Sequence, residues 1–216
     1  MGVGDLQMVA VKESSDELNP GVVTADSAVA QPTRARNFSD YIALAIATCG
    51  VGYLPLAPGT WGSLLAVGVY LELQTVVFAF VRAWARENSV LLYAPTVIFI
   101  AAELILITSV TLLGIWAGSR AEKLLGKKDP GKVVIDEVAG QLIALLPILP
   151  KLDPGWLSII VAFLAFRLFD IVKPYPARRM EKLESGLGIM SDDIVAGAYA
   201  GVTTAVVIAI AFLIIN

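Results

Sequence analysis

The chain has 216 residues, of which 57% are hydrophobic and 16% charged, with a net charge of −3. Soluble domains are roughly 45–50% apolar and about 25% charged, so the composition excludes an ordinary soluble globule. The small net charge gives no footing for nucleic acid. One cysteine, Cys49, rules out an internal disulfide, and the absence of histidine removes histidine nucleophiles, general acids and metal ligands.

The first forty residues read as a polar leader. The run "VKESSDELNPGVVTADSAVAQPTRARN" has scattered Pro, Ser and Asp and little hydrophobic periodicity. It is expected to be disordered and cytoplasmic. It is not a secretory signal, because the start is not basic and no apolar core follows it. Residues 41–216 are expected to form the membrane-embedded domain. Its first part, Tyr41–Leu56, is broken by Gly50, Gly52 and Pro55, too short to span and better suited to a re-entrant or interfacial helix.

Five longer apolar stretches follow: Trp61–Val81, Val90–Gly118, Val133–Leu149, Trp156–Val172 and Ile194–Ile215. Open sheet cannot satisfy its backbone in lipid, so all are read as helix. The expected fold is an all-α polytopic membrane bundle with about four to five transmembrane helices and one short re-entrant or interfacial helix. Glu72 and Glu103 fall inside spans, where helix-packing contacts or protonated carboxyls are expected for them.

Five crossings place the loops alternately on two sides. One side receives Lys12, Arg34, Arg36, Arg120, Lys123, Lys127, Lys128, Lys132, Lys173, Arg178, Arg179 and Lys182; the other receives Arg82, Arg86 and Lys151. Twelve basic residues against three put the first side in the cytoplasm by the positive-inside rule. Every polar cluster then falls at that face: "PLAPGTWGSL" opens the first span, "DPGKVVIDEVAGQ" the third and "GIMSDD" the fifth, and "FRLFDIVKPYP" closes the fourth.

These clusters suggest one composite site. Asp136 and Glu137 are adjacent, as are Asp192 and Asp193, and Asp170 has Arg167 and Lys173 one helical turn to either side. Acidic residues at helix N-termini also serve as caps and dipole partners, which accounts for a single pair more readily than for three clusters on one face. Carboxylates gathered at a low-dielectric boundary repel unless a cation joins them. Oxygen ligands without histidine favour Mg²⁺ over Zn²⁺, and Mg²⁺ held by carboxylates usually serves a phosphate.

"PGTWGS" supplies Thr60 and Ser63 at a helix start, where an anion can approach the backbone. It lacks the Gly-Lys-Ser/Thr ending of a Walker A loop. Lys132 reads as a positive-inside lysine, and Lys173 is the better phosphate partner. Cys49 is followed by "GVGYLP", without arginine, so it reads as a packing residue and not as a phosphatase nucleophile. No Asp-x-Asp nucleophile motif occurs. Metal-assisted hydrolysis remains.

Three stretches, "GYLPLAPGTWGSL", "DPGKVVIDEVAGQLIAL" and "FRLFDIVKPYPARRMEKLESGLGIMSDDIVAGAYAG", resemble the phosphatidylglycerophosphatase A family from about Thr48 to Gly201. The resemblance implies a multi-pass bacterial inner-membrane enzyme. It would remove the terminal phosphate of phosphatidylglycerophosphate with Mg²⁺, giving phosphatidylglycerol and inorganic phosphate at the cytoplasmic face. Two pairs depart from the family pattern: Glu181-Lys182 stands where the family has Asp-Arg, and Ser185-Gly186 where it has Gly-Gly. Glu181 and Lys182 are therefore left out of the expected site.

The expected metal ligands are Asp136, Glu137, Asp170 and Asp193. Asp170, Lys173, Asp192 and Asp193 are the expected catalytic set, and the sequence leaves open which carboxylate is nucleophile, base or ligand. Thr60, Ser63, Arg167 and Lys173 are the expected substrate contacts. The expected partners are the lipid substrate and the membrane, with no nucleic acid; oligomeric state is not read from the sequence. The alternatives are a transporter or cation pathway, in which carboxylates beside spans would mark the route, and a non-catalytic membrane scaffold.

Overall fold

The first helix begins where an asparagine precedes an aspartate by three residues. In this computed structural model, which describes residues 36–85, 93–149 and 155–215, the Asn37 N–H donates to Asp40 Oδ2 at 2.8 Å, the reciprocal half of a capping box. Helix α1 runs Phe38–Thr48 and ends at Cys49 and Gly50, both with left-handed backbone. It starts three residues ahead of Tyr41, the expected start of the membrane-embedded domain; residues 1–35 of the expected leader lie outside the described residues. Ala43, Leu44 and Ala47 are buried, whereas Phe38, Tyr41 and Ile42 are exposed. That outward aromatic and aliphatic face suits an interfacial helix.

Among the described residues, three helices are long and apolar enough to cross a membrane: α2 (Pro58–Ala85), α3 (Ala94–Leu125) and the last, Ser185–Ile215. At about 1.5 Å per residue each exceeds the roughly 30 Å hydrocarbon core. Between them lie α4 (Ile135–Leu145), α5 (Trp156–Val172) and the single turn α6 (Ala177–Met180), so the last helix is α7.

Helix α4 departs from the expected span Val133–Leu149. It has 11 residues, about 16 Å of helix, and stops two residues before Pro147. The Tyr70 hydroxyl, midway along α2, donates to the Ile148 carbonyl at 2.8 Å. Trp156 at the start of α5 lines a cavity with Tyr70, Leu71 and Gln74. Helices α4 and α5 therefore form a hairpin whose described ends reach the level of the middle of α2. A hairpin that enters and returns keeps residues 126–134 and 173–184 on one side, as two full crossings would. The grouping of the polar motifs at one end is thus unchanged.

Helix α4 is the hub, packed on α2, α3, α5 and α7. Nine of its residues are buried. Lipid offers no hydrophobic drive for helices to associate, so close packing of small residues carries the contact. At the α4–α7 crossing, a β-carbon on Gly197 would strike the backbone carbonyl of Gly140. Glu103 of α3 is fully buried, and neither carboxyl oxygen has a hydrogen-bond partner among the described residues. Glu72 is exposed.

Candidate active site

One end of the bundle gathers the acidic residues because three helix termini meet there. Asp136 and Glu137 lie in the first turn of α4, favourable for the helix dipole. Asp170 lies in the last turn of α5, and Asp192 and Asp193 lie two turns into α7. Asp136, Glu137 and Asp193 each bring one carboxylate oxygen into a group lying within 4.8 Å of one another. Asp170 faces Asp193 and joins them at the edge.

Two oxygens of this group, Asp136 Oδ1 and Glu137 Oε2, are buried without a hydrogen-bond partner among the described residues. Buried carboxylate oxygens normally find donors. Converging oxygen ligands with unspent lone pairs are what a hard divalent cation takes, and Mg²⁺ fits this donor set.

The cations lie around the cluster. Arg167 Nη1 is 2.8 Å from Asp170 Oδ2, an ion pair by distance that lacks the alignment of a hydrogen bond. Lys173 follows α5 with left-handed backbone and places Nζ 2.6 Å from Asp192 Oδ2 and 3.6 Å from Glu181 Oε2. Burial alone would lower the Lys173 ammonium. The Asp192 hydrogen bond and the charges of Asp192, Glu181 and Asp193 outweigh it and hold the pKa above its ordinary value.

The turn entering α2 forms another wall. A β-carbon at Gly59 would overlap Glu137 Oε1 and lie 3.0 Å from Arg167 Nη1, so glycine is what lets this turn touch the cluster. Ser63 is fully buried and donates its hydroxyl to the Gly59 carbonyl at 3.0 Å; Thr60 is half-buried beside it. Lys132 places its ammonium over the Tyr53 ring, 5.1 Å from the centroid. The non-glycine residues with left-handed backbone are Cys49, Leu56, Ala57, Asp129, Lys173 and Ser185, and they all flank this end. Such strain, on the order of 1 kcal/mol or more per residue, gathers at functional sites.

The sequence reading missed several neighbours. Asp129 lies close enough to Asp136 and Asp192 to repel both. Glu181, set aside for its departure from the family pattern, pairs with Lys173. Gln141 sits one turn beyond Glu137 on α4, fully buried, with its amide oxygen and nitrogen both unpartnered; its place four residues after Glu137 in "DEVAGQ" was the available signal.

The family model described as phosphatidylglycerophosphatase A matches residues 44–208. The chain belongs to that family. Phosphatidylglycerophosphatase A of Haemophilus influenzae is 37% identical over 152 residues, covering 70% of this chain and 78% of that protein. The Escherichia coli protein of the same name is 32% identical over 149 residues, 68% of this chain and 72% of its own. A Bacteroides thetaiotaomicron protein named "Putative phosphatidylinositol-3-phosphatase" is 37% identical over 157 residues, 73% of this chain and 87% of that protein. No solved structure matches. Family membership makes the chain a phosphatase, and with its apolar helices a bacterial membrane protein. The scaffold reading falls with it. The cation-pathway reading also loses its footing, since the acidic pairs crowd one end of the bundle and do not mark a route across.

Proposed function

We propose that the chain is a Mg²⁺-dependent phosphatase of the bacterial inner membrane that hydrolyses phosphatidylglycerophosphate to phosphatidylglycerol and inorganic phosphate at the cytoplasmic face. The observation that carries this reading is the convergence of Asp136, Glu137 and Asp193 oxygens within 4.8 Å at the interfacial end of the bundle. The twelve basic residues on that side support the cytoplasmic orientation.

Asp136, Glu137 and Asp193 would hold the ion, with Asp170 beside them. When bound, Mg²⁺ supplies charge neutralisation of the phosphoryl oxygens. Lys173 adds a fixed positive charge next to the cluster, and Arg167 holds Asp170 in place. Asp170 is oriented by Arg167 and Asp192 by Lys173, and in this reading one of these two carboxylates accepts a proton from the attacking water. The Gly59 turn closes the side facing α2, where Thr60 is half-exposed at the helix start and Ser63 is buried against the Gly59 carbonyl.

Phosphate release from phosphatidylglycerophosphate in detergent micelles, with Mg²⁺ and then with EDTA, tests the reading. Turnover that requires the metal supports it; turnover that persists in EDTA rules out the metal role. A second substrate belongs in the same assay, because the Bacteroides relative, named for phosphatidylinositol-3-phosphate, matches this chain at the same 37% identity. Both lipids carry a phosphate monoester on a polyol.

A further inference from the structure

Asp192 and Asp193 are neighbours in sequence but look into two different compartments. Asp193 joins the acidic cluster. Asp192, about 100° around α7, lines a separate cavity of about 470 Å³. Ser185, Gly188 and Ile189 share that wall, at the three-, four- and seven-residue spacings that place them with Asp192 on one helix face. The volume lies within the roughly 300–1,000 Å³ of small-ligand sites.

The opposite walls are basic. Lys128 comes from the loop before α4, and Arg178 and Lys182 from the connection before α7. Lys128 and Lys182 make no ion pair with any described residue. Arg178 makes one long hydrogen bond, 3.4 Å to the Val172 carbonyl. The first turn of α7 adds the positive end of a 31-residue helix. Three carboxylates share the lining: Glu181 and one oxygen of Asp192 are engaged by Lys173, and Asp129 is exposed. The other oxygen, Asp192 Oδ1, is buried and has no hydrogen-bond partner among the described residues. Three cations and a helix N-terminus outweigh the one unengaged carboxylate, Asp129, and together match a phosphate.

We infer that this cavity is the subsite for the second phosphate of the lipid, the phosphodiester that is not hydrolysed, held while the monoester sits on the acidic cluster across α7. The inference rests on the two-phosphate substrate proposed above. Released inorganic phosphate has the same chemistry, and the experiment separates the two sources.

The experiment compares kcat/KM for phosphatidylglycerophosphate with kcat/KM for phosphatidic acid, a lipid monoester with no phosphodiester, in wild type and in Lys128→Gln/Lys182→Gln. Both lysines are exposed, so the core is untouched; Arg178→Gln serves as a second variant. The ratio of the two values falls about tenfold in the double variant, through KM for the two-phosphate lipid. Lys127→Gln, an exposed neighbour that does not line the cavity, leaves the ratio where it was and controls for general attraction to an anionic surface. An unchanged ratio in both cavity variants overturns the inference. Weakened inhibition by inorganic phosphate with an unchanged ratio also overturns it and assigns the cavity to the product. A wild-type enzyme active on phosphatidic acid but not on the two-phosphate lipid refutes the inference while sparing the phosphatase, and activity on neither lipid sinks the functional reading itself.

Discussion

Gly59 and Glu137 touch so closely that a single added methyl group would overlap the carboxylate. The obstacle is the far end of a flexible side chain, so Glu137 can swing away at little cost to folding. Gly59→Ala should therefore leave the thermal midpoint within a few degrees of wild type and lower turnover on the order of 100-fold, the usual price of a misplaced ligand. Wild-type activity in a folded Gly59→Ala protein would show that the position of Glu137 does not matter.

Gly197 predicts the reverse. Its absent β-carbon faces the Gly140 backbone, which cannot rotate aside. Gly197→Ala must part α4 from α7, at a cost of about 1–3 kcal/mol or more. Unfolding in detergent should register the loss directly. A midpoint equal to that of Gly59→Ala would contradict the account.

The fold was legible where length and apolarity decide. Residues 58–85, 94–125 and 185–215 are helices because long, mostly apolar runs in lipid permit little else. The hairpin was not legible. Composition makes 133–149 look like a span, and only the helix end at Leu145 with the Tyr70–Ile148 hydrogen bond reveals its depth. Among the site residues, Asp136, Glu137, Asp170 and Asp193 could be picked out because charge beside apolar helix is conspicuous. Asp129 could not, since its role depends on neighbours far away in sequence, and Gln141 had only its spacing from Glu137 to mark it.

The Lys173–Asp192 pair should couple in a double-mutant cycle. Asp192 has a side chain only 8% exposed, against 25% for Lys173, so Lys173→Gln strands a buried charge and costs about 3 kcal/mol. Adding Asp192→Asn to that variant should recover part of the loss. Strictly additive effects on the thermal midpoint would mean that the 2.6 Å contact does not hold the loop to α7.

Cys49 should behave as an inert thiol. Burial, and then the charge of Glu137, push it up to about 11, so the thiolate is scarce at pH 8. Its alkylation by iodoacetamide should accelerate with pH until about 11 and be slow at neutrality, and Cys49→Ser should keep at least half of wild-type turnover. Rapid labelling at pH 7 would contradict the environment described.

The most direct test of the acidic cluster is equilibrium binding of Mn²⁺, a spectroscopically visible substitute for Mg²⁺, to purified protein in detergent. Wild type should bind the ion, and Asp136→Asn and Asp193→Asn, each folded, should lose at least about 90% of that binding along with phosphate release. Undiminished Mn²⁺ binding in both variants would contradict the assignment of Asp136, Glu137 and Asp193 as the metal-holding group.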